Sequence, residues 1–319
     1  MNQVLSGVDI EIAAGNPQAI GAYGRAAQGT SIQDVTVRCA DCAVGIQGGA
    51  GSGGSHINVR VEGGKLGLDL AQSQPSPTIT GVTLINQTVT AISYGNPGRQ
   101  TLSVTGARIQ LAPSASGPAI SVVAQALSLV DSVIEGHAHQ VGIAVSSSSN
   151  LFLQDVYFRG FEKSVMMPDG SILGPSYAAS GSATWSHAKL VAGGRQKADP
   201  EAGGPAYTSP VFKNGSAIDD YQVDFITTSN QKSPPSVLTS RHVWDEATFP
   251  SWFDSRACRA KDFGAKGDLV TDDTAALQMM LDSPKCSALA TLDSASETLC
   301  DPFVILIVSC GKHDRVTLY

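Results

Sequence analysis

A column of apolar residues returning every 23 to 25 positions constrains this chain more than any other feature. Small or acidic residues mark the repeat at Asp9, Asp34, Asn58, Gly81, Gly106, Asp131 and Asp155, in steps of 25, 24, 23, 25, 25 and 24. Three places after these anchors stand Ile12, Val37, Val61, Leu84, Ile109, Ile134 and Phe158, apolar in every copy. One place after them stand Ile10, Val35, Val59, Val82, Ala107, Ser132 and Val156. Two places before them, from the second anchor on, stand Ile32, His56, Ile79, Val104, Leu129 and Leu153.

Apolar positions at +1 and +3 alternate with period two, as in a strand with one buried face. The −2 column is out of that phase, so the chain bends at the anchor, where Gly, Asp and Asn tolerate unusual dihedrals. A second apolar set follows at Ile20, Ile46, Leu68, Ile92, Ile120, Ile143 and Val165, with turn segments such as Gly95-Asn96-Pro97-Gly98 between sets. A repeat built only of strands and turns predicts an all-β chain folded as a right-handed parallel β-helix of about seven coils, each of about 24 residues. The leucine-rich alternative needs a fixed Leu spacing and a helical return, and neither is present.

The composition fits a solenoid. Charged residues are 15% of the 319, glycines number 33 and 42% are hydrophobic, enough to fill a long core. The net charge of −7, with no Lys/Arg cluster, argues against a nucleic-acid partner. The longest apolar run, residues 303–308, is far short of a membrane span. Residues 1–14 show no signal peptide. Cys39 and Cys42 form a lone C-x-x-C without the second pair or histidines of a zinc site, and are expected to be packing residues. No metal or cofactor is expected.

Past residue 161 the repeat fades. Residues 1–167 read as the β-helix, residues 168–257 as a connector with small β elements, and residues 258–319 as the beginning of another domain. In the connector, residues 211–218 read as a hairpin turning at Asn214-Gly215. The aromatics Trp185, Tyr207, Trp244 and Trp252 argue for order there. Asn86-Gln87-Thr88 and Asn214-Gly215-Ser216 fit the N-glycosylation pattern. Thr271 or Asp272 is placed to cap a helix over residues 275–281.

The run Asp262-Phe263-Gly264-Ala265-Lys266-Gly267-Asp268, then Thr271-Asp272-Asp273-Thr274, resembles the lead-in of pectate-lyase-superfamily β-helix domains, where it is structural. Its place after a first β-helix resembles glycoside hydrolase family 55, whose members join two β-helices and are in many cases secreted exo-β-1,3-glucanases. The resemblance implies a polysaccharide partner, a β-1,3-glucan or a pectic glycan, and an extracellular or cell-surface location. It ends near residue 281; the rest resembles no part of that fold, and the chain reads as a fragment.

The family's Gln-rich water-positioning segment corresponds to residues 45–56, which makes Gln47, Ser52 and Ser55 the candidate glycan contacts. Gly48, Gly49 and Ser52 stand where the family has aromatic and glutamine side chains. The family's general acid belongs to the second β-helix, a region this chain does not carry, so no catalytic residue is expected and hydrolysis by this chain is expected to be negligible.

Glu62, Glu135 and Glu162 qualify as acids by residue type alone and are expected to be solvated strand-end charges. Glu135 and Arg159 are expected to pair across neighbouring coils. Asp131 and Asp155 are expected to stack at the bend and bond the local backbone rather than hold a cation. His56 falls in the apolar column and reads as a core histidine; His137 and His139, like it, are not anchored by any motif. Three readings follow: an inverting glucan hydrolase fragment, a non-catalytic glycan-binding, adhesin or scaffold β-helix, and a calcium-dependent pectin-type lyase. The oligomeric state is not legible.

Overall fold

A computed structural model describes residues 4–24, 28–49, 51–71, 76–95, 101–123, 126–148, 150–168, 170–176, 184–193, 211–213, 215–218, 222–227, 232–243, 258–268, 270–283, 307–310 and 314–317. The chain divides into two compact units, Met1–Val243 and Trp244–Tyr319. The first is a parallel β-solenoid of about six turns.

Two ladders of parallel strands build it. The first runs through β1 (Val4–Ile12), β3 (Ser31–Cys39), β5 (Ser55–Gly63), the pair β7 (Thr78–Thr80) and β8 (Thr83–Ile85), and the pair β10 (Thr101–Thr105) and β11 (Arg108–Gln110). It ends in the leading parts of β13 (Ala126–Ser147) and β14 (Leu151–Met166). The second runs through β2 (Ile20–Gly24), β4 (Val44–Gly48), β6 (Leu66–Asp69), β9 (Thr90–Tyr94), β12 (Ile120–Val122) and the trailing parts of β13 and β14.

The bend lies where the sequence puts it in six of seven copies. Asp34, Asn58, Gly81, Gly106, Asp131 and Asp155 all have φ between 50° and 71°. The first copy needs a correction. Gly7 (φ 65°), not Asp9, stands opposite Asp34, because Val8 pairs with Val35 and Ile10 with Val37. The step to Asp34 is therefore 27 residues. Seven bends delimit six turns. The second apolar set shifts by two places at the same kind of point: Ala22, not Ile20, pairs with Ile46, and Val145, not Ile143, pairs with Ile120 and Val165.

Both ladders point their apolar columns into one core. Val37, Val61, Leu84, Ile109, Ile134 and Phe158 are fully buried, and so are Ile46, Leu68, Ile92, Ile120, Val145 and Val165. The cross-section is narrow. Gly21, Gly45, Gly67, Ala91, Ala119 and Ala144 hold equivalent places on the second ladder, where the backbone approaches the opposing large side chains. Small residues opposite large ones fill such a space without strain. Gln87 lies wholly inside a corner, where its amide nitrogen faces the carbonyls of Val61, Gly63 and Ile85 at 3.0–3.1 Å.

Past the last parallel coil the chain reverses. β15 (Ile172–Leu173) and β16 (Trp185–Gly193) both pair antiparallel with β14, and β19 (Gln222–Ile226) pairs antiparallel with β16. Antiparallel strands over the end of the stack cover core that another coil would otherwise bury. The Asn-Gly hairpin forms from β17 (Val211–Lys213) and β18 (Ser216–Ile218); Asn214, Tyr207, Trp244 and Trp252 lie outside the described residues. Cys39 and Cys42, expected to be packing residues, are buried and form a disulfide against Gly64.

In the second unit a 3-10 turn, Ala260–Phe263, closes at Gly264 and leads to α1 (Thr274–Leu281). Cys258, itself disulfide-bonded, Ala260 and Met280 form its small core with Phe263, Ala265 and Leu277 against them. Beyond Ser283 the described residues form a strand pair, β20 (Ile307–Cys310) and β21 (Asp314–Thr317).

Candidate functional site

The parallel register fixes which residues face out from the second ladder. Tyr23, Gln47, Asp69, Ser93, Ser121 and Ser146 stand opposite one another on successive strands, roughly 4.8 Å apart by ordinary strand spacing. Tyr23 is exposed and the other five are partly exposed. Gln47 Nε2 donates to Asp69 Oδ2 at 2.9 Å, and the Ala71 amide donates to Asp69 Oδ1 at 3.1 Å. The row thus combines an aromatic ring, an amide–carboxylate pair and hydroxyls on one sheet face.

Of the other candidate glycan contacts, Ser52 lies in the turn after β4 and its carbonyl accepts from the Gly29 amide at 2.9 Å. Ser55 opens β5 on the first ladder, and its carbonyl accepts from Ser31 Oγ at 3.1 Å. The three candidates therefore flank one glycine-rich turn but do not share a row. That turn has no space for a side chain at Gly48 or Gly49. A Cβ on Gly48 would meet the Gly24 carbonyl, and one on Gly49 would meet the His56 ring.

His56 is fully buried beneath that turn, and burial pushes its pKa down to about 4. Neither ring nitrogen has a hydrogen bond of ordinary geometry, and the neighbouring Gly48 backbone offsets only part of the burial.

The first ladder carries the acidic residues singled out by type. Glu62 is paired with Arg38 at 3.9 Å and with Arg60. Glu135 pairs with Arg159 at 3.7 Å. Glu62 and Glu135 share one outward column but lie three coils apart, about 14 Å by strand spacing. A glycosidase carboxylate pair requires about 5–9.5 Å. Glu162 and His137 are exposed, and the side chain of His139 lies outside the described residues.

The bend carboxylates depart from expectation. Asp131 and Asp155 occupy neighbouring coils, yet among the described residues their partners are distant side chains rather than local backbone. Asp131 Oδ2 accepts from the Arg241 guanidinium and lies 2.7 Å from His242 Nε2, with its own side chain 7% exposed. Asp155 Oδ1 lies 3.1 Å from His187 Nε2. The His187 ring stacks on Tyr157 at 4.1 Å between centroids, Tyr157 meets Trp185 edge-on, and Arg159 lies over the Trp185 ring at 5.6 Å. Burial, together with the nearby Asp155 and Asp131 charges, pushes the Tyr157 hydroxyl pKa up. The bend column flagged both carboxylates in the sequence; nothing in the repeat pointed to their partners.

In the second unit the lead-in residues hold their own loop together. Asp273 accepts from the Lys266 and Gly267 amides at 2.9 and 2.7 Å. Asp268 accepts from the Val270 and Thr271 amides, and Asp272 from the Thr274 amide at 3.0 Å. The Thr271 and Val270 amides hold the Asp268 carboxyl below the usual range, and the Thr274 hydroxyl, followed by the Thr274 amide, does the same for Asp272. The N-cap position is Asp273, whose side chain makes no capping bond; Asp272 ties the first turn instead. Phe263 packs against the local core.

Among the described residues no group of three or more His, Cys, Asp or Glu is placed to hold a metal ion, and no helix is long and apolar enough to cross a membrane. No known family model matches the chain, and no curated protein does.

Proposed function

We propose that this protein is a glycan-binding β-helix of the carbohydrate-active kind, which takes an extended polysaccharide along the outward row of its second ladder. The observation that carries the reading is the row itself. Tyr23 offers a ring face for stacking on a sugar, and Gln47, Asp69 and the three serines offer donors and acceptors at a spacing comparable with the length of a pyranose ring. Aromatic platforms with a few placed polar groups are what sugar sites consist of.

The resemblance to glycoside hydrolase family 55 makes a β-1,3-glucan the first ligand to test and a pectic glycan the second. The same resemblance reads residues 258–319 as the start of another such domain. A location outside the cell or at its surface accords with the Cys39–Cys42 disulfide, since such bonds persist in oxidising compartments. Binding without cleavage is the better supported reading, because the ion-paired Glu62 and Glu135 are too far apart to act on one glycosidic bond.

Isothermal titration with laminarin-type and pectic oligosaccharides tests this. Binding to one class is expected, weakened about tenfold by Asp69→Ala or Gln47→Ala. Absence of binding to both classes removes the reading. Release of glucose from β-1,3-glucan would overturn its non-catalytic part.

A further inference from the structure

We propose that residues 235–243 form a displaceable latch, locked by Asp131, over the aromatic and acidic face of the last coils. The segment crosses the bends of neighbouring coils. Leu238 is buried against Val133 and Tyr157, Arg241 and His242 both reach the Asp131 carboxylate, His242 lies beside the bend at Gly106, and Val243 lies beside the bend at Gly81.

Three independent features mark it as docked yet separable. First, two of the three bends that it meets, Gly81 and Gly106, are glycines, whereas Asp34, Asn58 and Asp155 stand at other bends and only Gly7, at the first, is also glycine. A Cβ on Gly106 would come within 2.9 Å of the His242 Cβ, and one on Gly81 would run into the Val243 side chain. The column is notched where the segment passes.

Second, among the described residues every backbone hydrogen bond the segment makes is internal: Leu238 to Pro235, Arg241 to Val237, His242 to Thr239 and Val243 to Ser240. No strand pairing joins it to the coils, so lifting it breaks no ladder. Third, its polar attachment converges on one group. Arg241 and His242 meet the same oxygen of a carboxylate that is otherwise hidden from water.

Contacts of this kind open locally, at a cost well below global unfolding. Opening exposes Asp131, Val133 and Tyr157 beside His187 and Asp155. The latch therefore controls access to that face, while the coils beneath keep their own hydrogen bonds.

Hydrogen exchange on the full chain, read by mass spectrometry, tests the latch. In Arg241→Ala/His242→Ala, the amides of residues 238–243 are expected to exchange roughly ten- to a hundredfold faster, as expected for loss of hydrogen bonds to a charged group. Those of residues 127–134 and 151–158 should stay within about twofold of their original rates. Leu238→Ala, which leaves the ion pairs intact, should accelerate the same segment. Unchanged exchange at 238–243 in both variants overturns the proposal. So does loss of protection by segment and coils together, which would make the segment an integral part of the solenoid.

Discussion

The histidine in the apolar column gives the fold a dependence on acidity that can be worked out in advance. His56 has a pKa of about 4 in the folded protein, against the ordinary 6.5 it regains when the chain unfolds. Between those values the unfolded chain binds the proton and the folded chain does not. Stability from this group is therefore complete above about pH 6.5, falls as pH drops through the window, and levels off below about pH 4. At 1.36 kcal/mol per pH unit, the whole loss is about 3 kcal/mol, of which about 2 kcal/mol has gone by pH 5.

The matched perturbation is His56→Leu. Its neighbours in the column are Ile32 and Ile79, both buried, so an aliphatic side chain suits the position, and it removes two ring nitrogens without ordinary hydrogen bonds. Urea unfolding followed by circular dichroism at pH 7.5, 6 and 5 reads the difference. The variant should roughly match the original protein at pH 7.5 and exceed it by about 2 kcal/mol at pH 5. Titrations common to both proteins cancel in that comparison. Parallel loss of stability in the two proteins across the window would refute the reasoning.

Gly45→Ala should cost about 1–3 kcal/mol in urea unfolding, because the new Cβ would lie 2.8 Å from the Gly67 carbonyl oxygen and against Val61. Gln87→Leu should cost a similar 1–3 kcal/mol by leaving corner carbonyls without a donor, and Gln87→Asn, one methylene shorter, should not restore it. Reduction of the Cys39–Cys42 disulfide should lower stability by only about 2 kcal/mol in the same assay, since the loop it closes is very short.

The coil was legible because the bend imposes two demands at once. A left-handed dihedral favours Gly, Asn and Asp, and the flanking alternation favours aliphatics, so Asp34, Asn58, Gly81, Gly106, Asp131 and Asp155 stand out together. The places that were misread share one cause. Displacing a strand by two residues preserves its inward phase. Ile10 and Ile12 therefore imitate the pattern of Val8 and Ile10, and Ile20 imitates Ala22. Only pairing with the next coil separates the alternatives.

The candidate site was legible in part for a related reason. Gln47 could be found from its segment, but Tyr23, Asp69 and Ser93 become its neighbours only through register. The partners of Asp131 and Asp155 were invisible. Arg241 is 110 residues from Asp131, and His187 is 32 from Asp155 on a strand that runs against the repeat. No periodicity in the chain connects them.

A stack of like coils ordinarily carries no memory of its own number, because each touches only its neighbours and one may be duplicated or deleted at little cost to the rest. The segment lying from Tyr157 to Gly81 changes that. Removing the coil that bears Gly106 would slide Arg241 and His242 off Asp131 by one strand spacing, about 4.8 Å, and bring a bend with a side chain under a chain that has no room for it. The segment acts as a ruler across the later coils. Gain or loss of repeats during evolution is therefore expected among the coils of β3 and β5, which lie outside its span, and not between Gly81 and Asp155.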